Sequence, residues 1–339
     1  MACFWKNERN AVEVCSAGHI FDLGNYVYIG VDGPDLLLVE IASDLSSYTT
    51  TLLSGTFDGE IYVKNRTLFH SFTDQSYTVP TVLSRYDGNG VFATIPDAFL
   101  GTAEVFSHSE GKARVIEHRI SDYWQRFMES EDGEVWSPIT GSVYIGASIA
   151  AYPMVYAKFG SRHITIAGGG NPFYYSDDNG VTWAAGSGYS YSGYGTGTRH
   201  FAVSGSNIIA VHSDIYVSSN GASWTKTAFG GGDAGYMGNI AASGTGIVVV
   251  VGVIPSSGFA PGVAYSWDDG ASWTISLATS IGFAVGSQVM QVCWDGTQFV
   301  VFAWDGSGSK IYTSPTGAAW TQAFVLPYDN WSTFCQVID

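Results

Sequence analysis

Basic residues are scarce in this chain. Lys and Arg number 14 in 339 residues against 30 Asp and Glu, for a formal net charge of −16. After Arg199 the only cations are Lys226 and Lys310, so the C-terminal 140 residues cannot form a basic groove. Nucleic acid and anionic membrane surfaces are therefore not expected partners. Charged residues of both signs make only 13%, about half the usual share. Cysteines are few as well: Cys3, Cys15, Cys293 and Cys335 lack metal-ligand spacing and make no disulfide framework. No metal and no cofactor is expected. Long apolar runs are missing too. The longest, Ile247 to Ile254, is strand-sized, far short of the roughly 20 residues of a membrane helix. Met1 to His19 holds Lys6, Glu8, Arg9 and Glu13 and no apolar core of signal-peptide length. The expectation is a chain made and kept in a reducing cytoplasm, with free thiols.

What the chain does have is glycine, 42 of them, and aromatic side chains: 11 Trp, 20 Tyr and 19 Phe. A Gly-punctuated, aromatic-rich, charge-poor sequence suits many short strands joined by tight turns. Long helices would need more Leu, Ala, Glu and Lys. The apolar share of 46% is ample for a packed interior.

An eight-residue box recurs. Ser176-Asp177-Asp178-Asn179-Gly180-Val181-Thr182-Trp183 returns as Ser266-Trp267-Asp268-Asp269-Gly270-Ala271-Ser272-Trp273. Worn copies run from Val217 to Trp224, with Gly221, and from Thr313 to Trp320, with Gly317. Glu129 to Trp136 fits as a further copy, and Tyr77 and Tyr48 could hold the aromatic place upstream. A pattern returning every forty-odd residues marks a repeat architecture. Seven markers (Tyr48, Tyr77, Trp136, Trp183, Trp224, Trp273 and Trp320) over one domain of residues 1–339 give about 48 residues per unit, within propeller periods. Seven units fit best, and six would follow if one Tyr marker were spurious.

Within a unit the grammar is that of four strands joined by hairpins. Val289 to Trp294, a turn at Asp295-Gly296, Gln298 to Ala303, Lys310 to Thr313 and Trp320 to Gln322 make one such blade. The fold class expected is all-β: a single seven-bladed β-propeller of four-stranded antiparallel blades. The tail, Trp331 to Ile338, is a strand with no box after it. It is expected to pair with the N-terminal blade marked by Tyr48 and so close the array.

The box has a mechanical reading. Gly180, Gly221, Gly270 and Gly317 supply positive φ in a hairpin. Ser176, Asp178, Ser266 and Asp268 accept hydrogen bonds from turn amides, with Thr182 and Ser272 beside them. Trp183, Trp224, Trp273 and Trp320 pack into the crevice beside the next blade. Every part is accounted for by folding. The Asp177 to Gly180 run lacks the first and last ligands of a calcium loop and reads as turn chemistry.

These boxes resemble the Asp-box (BNR) repeats of sialidases and related propellers. In that family the box lies on a hairpin at the blade periphery, remote from the central site, so the resemblance implies fold and not activity. Sialidase chemistry would require a spread triad of arginines, and none follows Arg199. The family's Phe/Tyr-Arg-Ile-Pro signature is absent, Ala93-Thr94-Ile95-Pro96 being the nearest approach. No catalytic residue is assigned, and no carboxylate pair stands out for a glycosidase of another kind.

Three weaker signals point to recognition. Arg162-His163 and Arg199-His200 each precede an apolar strand, a candidate small anion site at matching places of adjacent blades. The Gly/Ser insert Gly186 to Thr198 carries Tyr189, Tyr191 and Tyr194; Phe229 to Gly238 carries Tyr236; Gly252 to Gly262 carries Phe259. Tyr among Ser and Gly is the composition of adaptable binding loops. The stretch Glu110 to Arg126, with Arg114, Arg119 and Arg126, reads as a charged outer strand pair of the third blade. The expectation is a non-catalytic interaction propeller, in style a tailed-phage virion (tail or tail-attachment) component. Its partners would be other proteins and, in the alternative, a surface glycan bound or cleaved. An intracellular assembly factor is the third reading.

Overall fold

The structure, a computed structural model, describes residues 22, 24–54, 60–72, 80–96, 98–103, 107–109, 112–119, 124–139, 155–166, 173–188, 200–212, 214–227, 236–254, 260–284, 288–304, 308–330 and 335–336. Over these residues the chain is all-β. Seven antiparallel sheets of four strand places follow one another in sequence order, two of them with one place filled by two short segments, Thr102–Ala103 with Ser107–Ser109 in blade 3 and Asp329–Asn330 with Cys335–Gln336 in blade 1, and a 3-10 turn at Ala278–Ile281 is the only helix among the described residues. These are the seven expected blades. Blade 2 runs from Glu60–Lys64 to Phe92–Ile95, blade 3 from Thr102–Ala103 to Ser137–Pro138, and blade 4 from Val155–Phe159 to Ala184–Ala185. Blade 5 runs from His200–Ser204 to Thr225–Thr227, blade 6 from Tyr236–Ala242 to Thr274–Leu277, and blade 7 from Gln288–Trp294 to Thr321–Val325.

Blade 1 takes its first strand from the C-terminus. Tyr26–Asp32, Asp35–Ile41 and Tyr48–Leu52 are its second to fourth strands. Asp329–Asn330 and Cys335–Gln336 pair antiparallel with Tyr26–Asp32, through Gly30↔Asn330, Val31↔Asp329, Tyr26↔Gln336 and Val27↔Cys335. The tail thus completes the blade marked by Tyr48, as expected.

Burial explains why strand positions differ in composition. Second strands lie between neighbouring sheets and are apolar on both sides: Val248 to Val251 and Ile208 to Val211 are fully buried, as is Phe299 to Ala303. Fourth strands face solvent, so Thr321–Val325 and Tyr48–Leu52 are mostly exposed and rich in Thr and Gln. The apolar core lies between consecutive sheets. One cluster joins blades 6 and 7 through Val249, Val251, Val292, Phe299 and Val301, and another joins blades 5 and 6 through Ile209, Val211, Val248 and Val250. A third joins blades 2 and 3 through Phe69, Leu83, Val115 and Met128. The chain divides into two compact units, one carrying blades 1 to 3 together with residues 155–156 and 179–182, the other carrying the rest of blade 4 and blades 5 to 7.

The charged stretch of blade 3 is strand, but not an outer pair. Lys112–Arg119 and Trp124–Ser130 are the second and third strands. Glu117 is wholly buried there. Its Oε2 accepts from Nε of Arg126, the residue opposite, at 2.7 Å, and its Oε1 takes the amides of Leu100 and Gly101. A buried carboxylate is tolerable because each oxygen has donors. The charge ties blade 3 to the segment arriving from blade 2.

Candidate functional site

The box turns join third to fourth strands, and their geometry is shared. The glycine N–H donates to the serine Oγ in four of them: Gly133 to Ser130 at 2.8 Å, Gly221 to Ser218 at 2.7 Å, Gly270 to Ser266 at 2.8 Å and Gly317 to Ser314 at 2.8 Å. The side chain two residues after the serine gathers the remaining amides. Asp132 Oδ1 accepts from Glu134 and Val135, and Asn220 Oδ1 accepts from Ala222 and Ser223. Asp268 takes both N–H and Oγ–H of Ser272, the latter at 2.6 Å. The indole N–H then folds back on the glycine carbonyl from Trp136, Trp273 and Trp320 at 3.0, 2.8 and 2.9 Å. In blade 4, Ser176 Oγ donates to Asp178 Oδ1 at 2.7 Å, and Thr182 is exposed.

These bonds set the charge state of the turns. The Ser272 hydroxyl, with the Ser272 amide and Ser266 Oγ–H, holds the Asp268 carboxyl below the usual carboxylate range. Burial pushes Asp132 up, but the Val135 and Glu134 amides and the Ser130 hydroxyl outweigh it and leave it lowered.

Two lengths of box coexist. Blades 3, 5 and 7 use seven residues, starting at Ser130, Ser218 and Ser314, with positive φ at Gly133 (85°), Gly221 (72°) and Gly317 (79°). Blades 4 and 6 use eight, because Asn179 (59°) and Asp269 (56°) add a second left-handed residue before Gly180 and Gly270. The worn copies therefore begin one residue later than a uniform eight-residue reading places them, at Ser218, Ser314 and Ser130 rather than Val217, Thr313 and Glu129. In blade 1, Asp44 Oδ1 takes the Ser46 N–H and Oγ–H, and the turn leads into Tyr48 as expected. Tyr48 is 45% exposed, so it is not a buried wedge. Tyr77 lies outside the described residues. The third-to-fourth turn of blade 2 is formed instead by residues 87–91, with Asp87 capping the Asn89 and Val91 amides and Phe92 in the aromatic place.

Trp136, Trp224, Trp273 and Trp320 pack on the preceding blade, not on the next as the sequence suggested. Trp224 of blade 5 stacks on Phe173 of blade 4 at 4.1 Å, and Trp320 joins the cluster shared with blade 6. Trp273 lies half-buried against the blade 5–6 cluster and Trp136 against the blade 2–3 cluster; Trp183 is also half-buried. The glycines do likewise. A Cβ on Gly133 would stand 2.7 Å from Phe69, on Gly270 3.1 Å from Ile209, and on Gly317 2.6 Å from Val249; on Gly221 it would strike Ile164. Each of those neighbours is in the second strand of the blade before.

The preceding blade also donates a hydrogen bond to a box carbonyl. Asn65 Nδ2 reaches Glu131 O at 3.1 Å, Asn207 Nδ2 reaches Asp269 O at 3.0 Å, Trp267 Nε1 reaches Thr316 O at 3.0 Å, and Arg162 Nη1 reaches Asn220 O. The Ser204 Oγ–H adds a 2.6 Å bond to Asp269, and the buried Tyr62 hydroxyl one of 3.2 Å to Gly133 O. The boxes of blades 3, 5, 6 and 7 are thus joints, with glycine and tryptophan against the preceding blade and a carbonyl capped by it.

This disposes of Arg162 as half of an anion site. Its Nε and Nη2 grip Asp177 at 2.7 and 2.8 Å, Nη1 serves the joint, and the guanidinium lies 4.5 Å from the Tyr175 ring centre. The bidentate Arg162 bonds hold Asp177 below the usual carboxylate range. Nor do the two Arg-His pairs match in place. Arg162 opens the second strand of blade 4, because Gly160-Ser161 is already the first hairpin, whereas His200 opens the first strand of blade 5. Arg199 lies outside the described residues.

Of the three inserts, Tyr189, Tyr191, Tyr194 and Phe259 lie outside the described residues. Tyr236 is not in a loop: it opens the first strand of blade 6, paired with Val253. The Gly252 to Gly262 stretch is mostly hairpin strand, with Gly252↔Gly262 and Ile254↔Ala260 in register. The base of the first insert is fixed, since Ser187 bridges Ser223 in parallel and its carbonyl takes the Trp224 amide at 2.9 Å. Among the described residues no group of His, Cys, Asp and Glu could hold a metal, and no helix is long and apolar enough to cross a membrane.

No protein-family model matches the chain, and no curated protein is similar to it in sequence. Solved structures are similar in fold. A Bacteroides uniformis protein assigned as a candidate 6-phosphogluconolactonase matches at TM-score 0.58 and 10% identity, over 92% of this chain and 99% of its own. The fold is a seven-bladed β-propeller. YCF48 from Cyanidioschyzon merolae matches at TM-score 0.50 and 13% identity, over 87% and 97% of the two chains. Puromycin hydrolase matches at TM-score 0.53 and 11% identity over 90% of this propeller, which spans 55% of that longer protein. At such identities the likeness concerns fold alone.

Proposed function

We propose that this propeller is a non-catalytic interaction module, an Asp-box (BNR) relative without sialidase chemistry, that serves as a tailed-phage virion component. On this reading it joins other proteins at the tail or its attachment site, or recognises a host surface. The observation that carries the reading is the use made of charge. Arg162, Arg126 and Arg85 each bind a carboxylate of the protein's own, Asp177, Glu117 and Glu134. These three arginines are spent on holding strands and joints in place, and a rigid scaffold is what presents connecting segments for recognition.

The test is mass spectrometry of purified particles, together with a glycan array and a turnover assay on the isolated protein. The reading expects the chain in particles and no turnover. Absence from particles together with failure to bind virion proteins removes the virion role. Hydrolysis of a glycan overturns the non-catalytic claim, and glycan binding without hydrolysis moves the reading to host-surface recognition.

A further inference from the structure

All blades but one blunt their outer edge. Phe92–Ile95 in blade 2 has four residues and is closed by Pro96, and Ser137–Pro138 in blade 3 is two residues long and ends on proline. Ala184–Ala185 in blade 4 is also two residues long, and Thr225–Thr227 in blade 5 carries Lys226 at its centre. Thr274–Leu277 in blade 6 runs directly into the 3-10 turn, and Thr321–Val325 in blade 7 is bulged, with Ala323 left out of register. Such devices keep sheet edges from pairing with other chains. Tyr48–Leu52 in blade 1 has none of them. Its five residues carry no charge and no proline, pair without interruption from Leu37↔Leu52 to Ile41↔Tyr48, and are exposed apart from half-buried Thr51.

The hydrogen bonds at the ends of this strand fix which main-chain groups point outward. The Ala42 amide donates to Ser47 O at 2.9 Å and the Leu53 amide to Leu36 O at 2.8 Å. In an antiparallel ladder the alternate residues Ser47, Thr49, Thr51 and Leu53 therefore bond inward, while Tyr48 and Thr50 direct N–H and C=O away from the sheet. Beyond them the edge is taken. The Ser54 amide donates to Gly90 O of blade 2 at 2.9 Å, and the Leu52 carbonyl lies against Gly90, where a Cβ would stand 2.2 Å from it. The open stretch, residues 48–51, complements itself. Antiparallel to its own copy with Thr49 on the two-fold axis, Tyr48 faces the other Thr50 and Thr50 the other Tyr48, exchanging about four main-chain hydrogen bonds. Thr49 then meets Thr49 and Thr51 meets Ser47, pairings that stabilise sheets. The two Tyr48 rings, each 45% exposed in the single chain, come diagonal to one another, within reach for aromatic side chains. Two-fold pairing of one patch with itself is the commonest way soluble chains associate. We propose that the outer strand of blade 1 is a homodimer interface, joining two copies edge to edge across Thr49. This goes beyond the interaction reading above and does not depend on it.

Sedimentation velocity of the full chain over a wide concentration range tests this. A reversible monomer–dimer equilibrium is expected, weak because so short an edge falls at the small end of interface sizes. It should tighten as salt rises from roughly 50 to 300 mM, since each copy carries a net charge of −16. Thr50→Pro removes an outward N–H at an edge position where proline is tolerated and should leave the chain monomeric. Thr49→Lys keeps the main chain intact and sets two cations face to face; it too should be monomeric, and it decides the matter should Thr50→Pro disturb folding. Under oxidation Thr49→Cys should give a disulfide-linked dimer, because the two Cα atoms would stand about 4.5 Å apart. Thr51→Cys should cross-link no more than the parent chain. A chain monomeric at every concentration, a folded Thr50→Pro or Thr49→Lys variant that still dimerises, or equal cross-linking at positions 49 and 51 overturns the proposal. A monomeric chain whose incorporation into particles is lost with Thr49→Lys overturns it in favour of a foreign strand at the same edge.

Discussion

Replacing Gly317 by alanine tests the joint most sharply. Gly317 has φ 79°, where an L side chain costs about 1–2 kcal/mol. Its Cβ would stand 2.6 Å from Val249 Cγ2 and 3.1 Å from Tyr265 Cβ, both on blade 6, and overpacking of this kind costs about 1–3 kcal/mol. The variant should therefore lose about 2–5 kcal/mol. Val249→Ala, at a fully buried position, removes two methyl groups and should cost about 2 kcal/mol alone. Combined, the new methyl enters the space that Val249 vacates. The overpacking part disappears, and the double variant should be about 1–3 kcal/mol more stable than the sum of the singles predicts. Gly270→Ala serves as the internal comparison, because its nearest approach is 3.1 Å to Ile209 and mainly the backbone cost of about 1–2 kcal/mol remains. Urea unfolding of the four chains, followed by far-UV circular dichroism, measures all of these. Additive costs at Gly317 and Val249, or a Gly270 variant as damaged as the Gly317 one, would refute the contact-based reasoning.

Other consequences follow from the same geometry. Asp269→Ala removes the acceptor of Ser204 across the joint of blades 5 and 6 and should cost about 1–3 kcal/mol; adding Ser204→Ala should then change little, and an equal second loss in the melt would show the pair to be uncoupled. Asp177, Asp268 and Asp44 are held below their ordinary range by Arg162, Ser272 and Ser46 respectively. Their contribution is complete above the unfolded carboxylate value of about 4 and is lost as pH falls through the lower folded values, so stability should decline on acidification and Asp268→Asn should flatten that decline; an acid limb identical to wild type would count against it. Deleting residues 329–339 strips blade 1 of its first strand, uncovering the edge of Tyr26–Asp32, and should lower the melting temperature sharply; an unchanged melt would mean that the tail is no clasp.

Much of this architecture can be read in the sequence because its punctuation is mechanical. Trp183 and Trp273 with their glycines recur, and seven blades and a closing tail strand follow from spacing. The errors have physical causes. Blade 2 hides its turn because Asp87-Gly88-Asn89-Gly90 leads into Phe92 instead of tryptophan, so Tyr77 looked the better marker. The start of the worn copies slipped by one because a left-handed Asn179 or Asp269 lengthens some turns and not others. Arg162 resembled a free cation because its partners, Asp177 and Asn220, belong to turns 15 and 58 residues away in sequence. First and second strands have similar composition, so the two Arg-His pairs looked equivalent although a hairpin at Gly160 separates their roles. The direction of tryptophan packing depends on which neighbouring sheet each turn faces, which no residue spacing reports.

The account as a whole turns on whether this propeller is an assembly component that binds through its surface. A cryo-EM reconstruction of the native assembly, isolated from its source without tags, tests that directly. The account predicts density for the seven blades with a neighbouring protein seated against them. A chain found only as a free monomer, or one turning over a substrate in the same preparation, would contradict it.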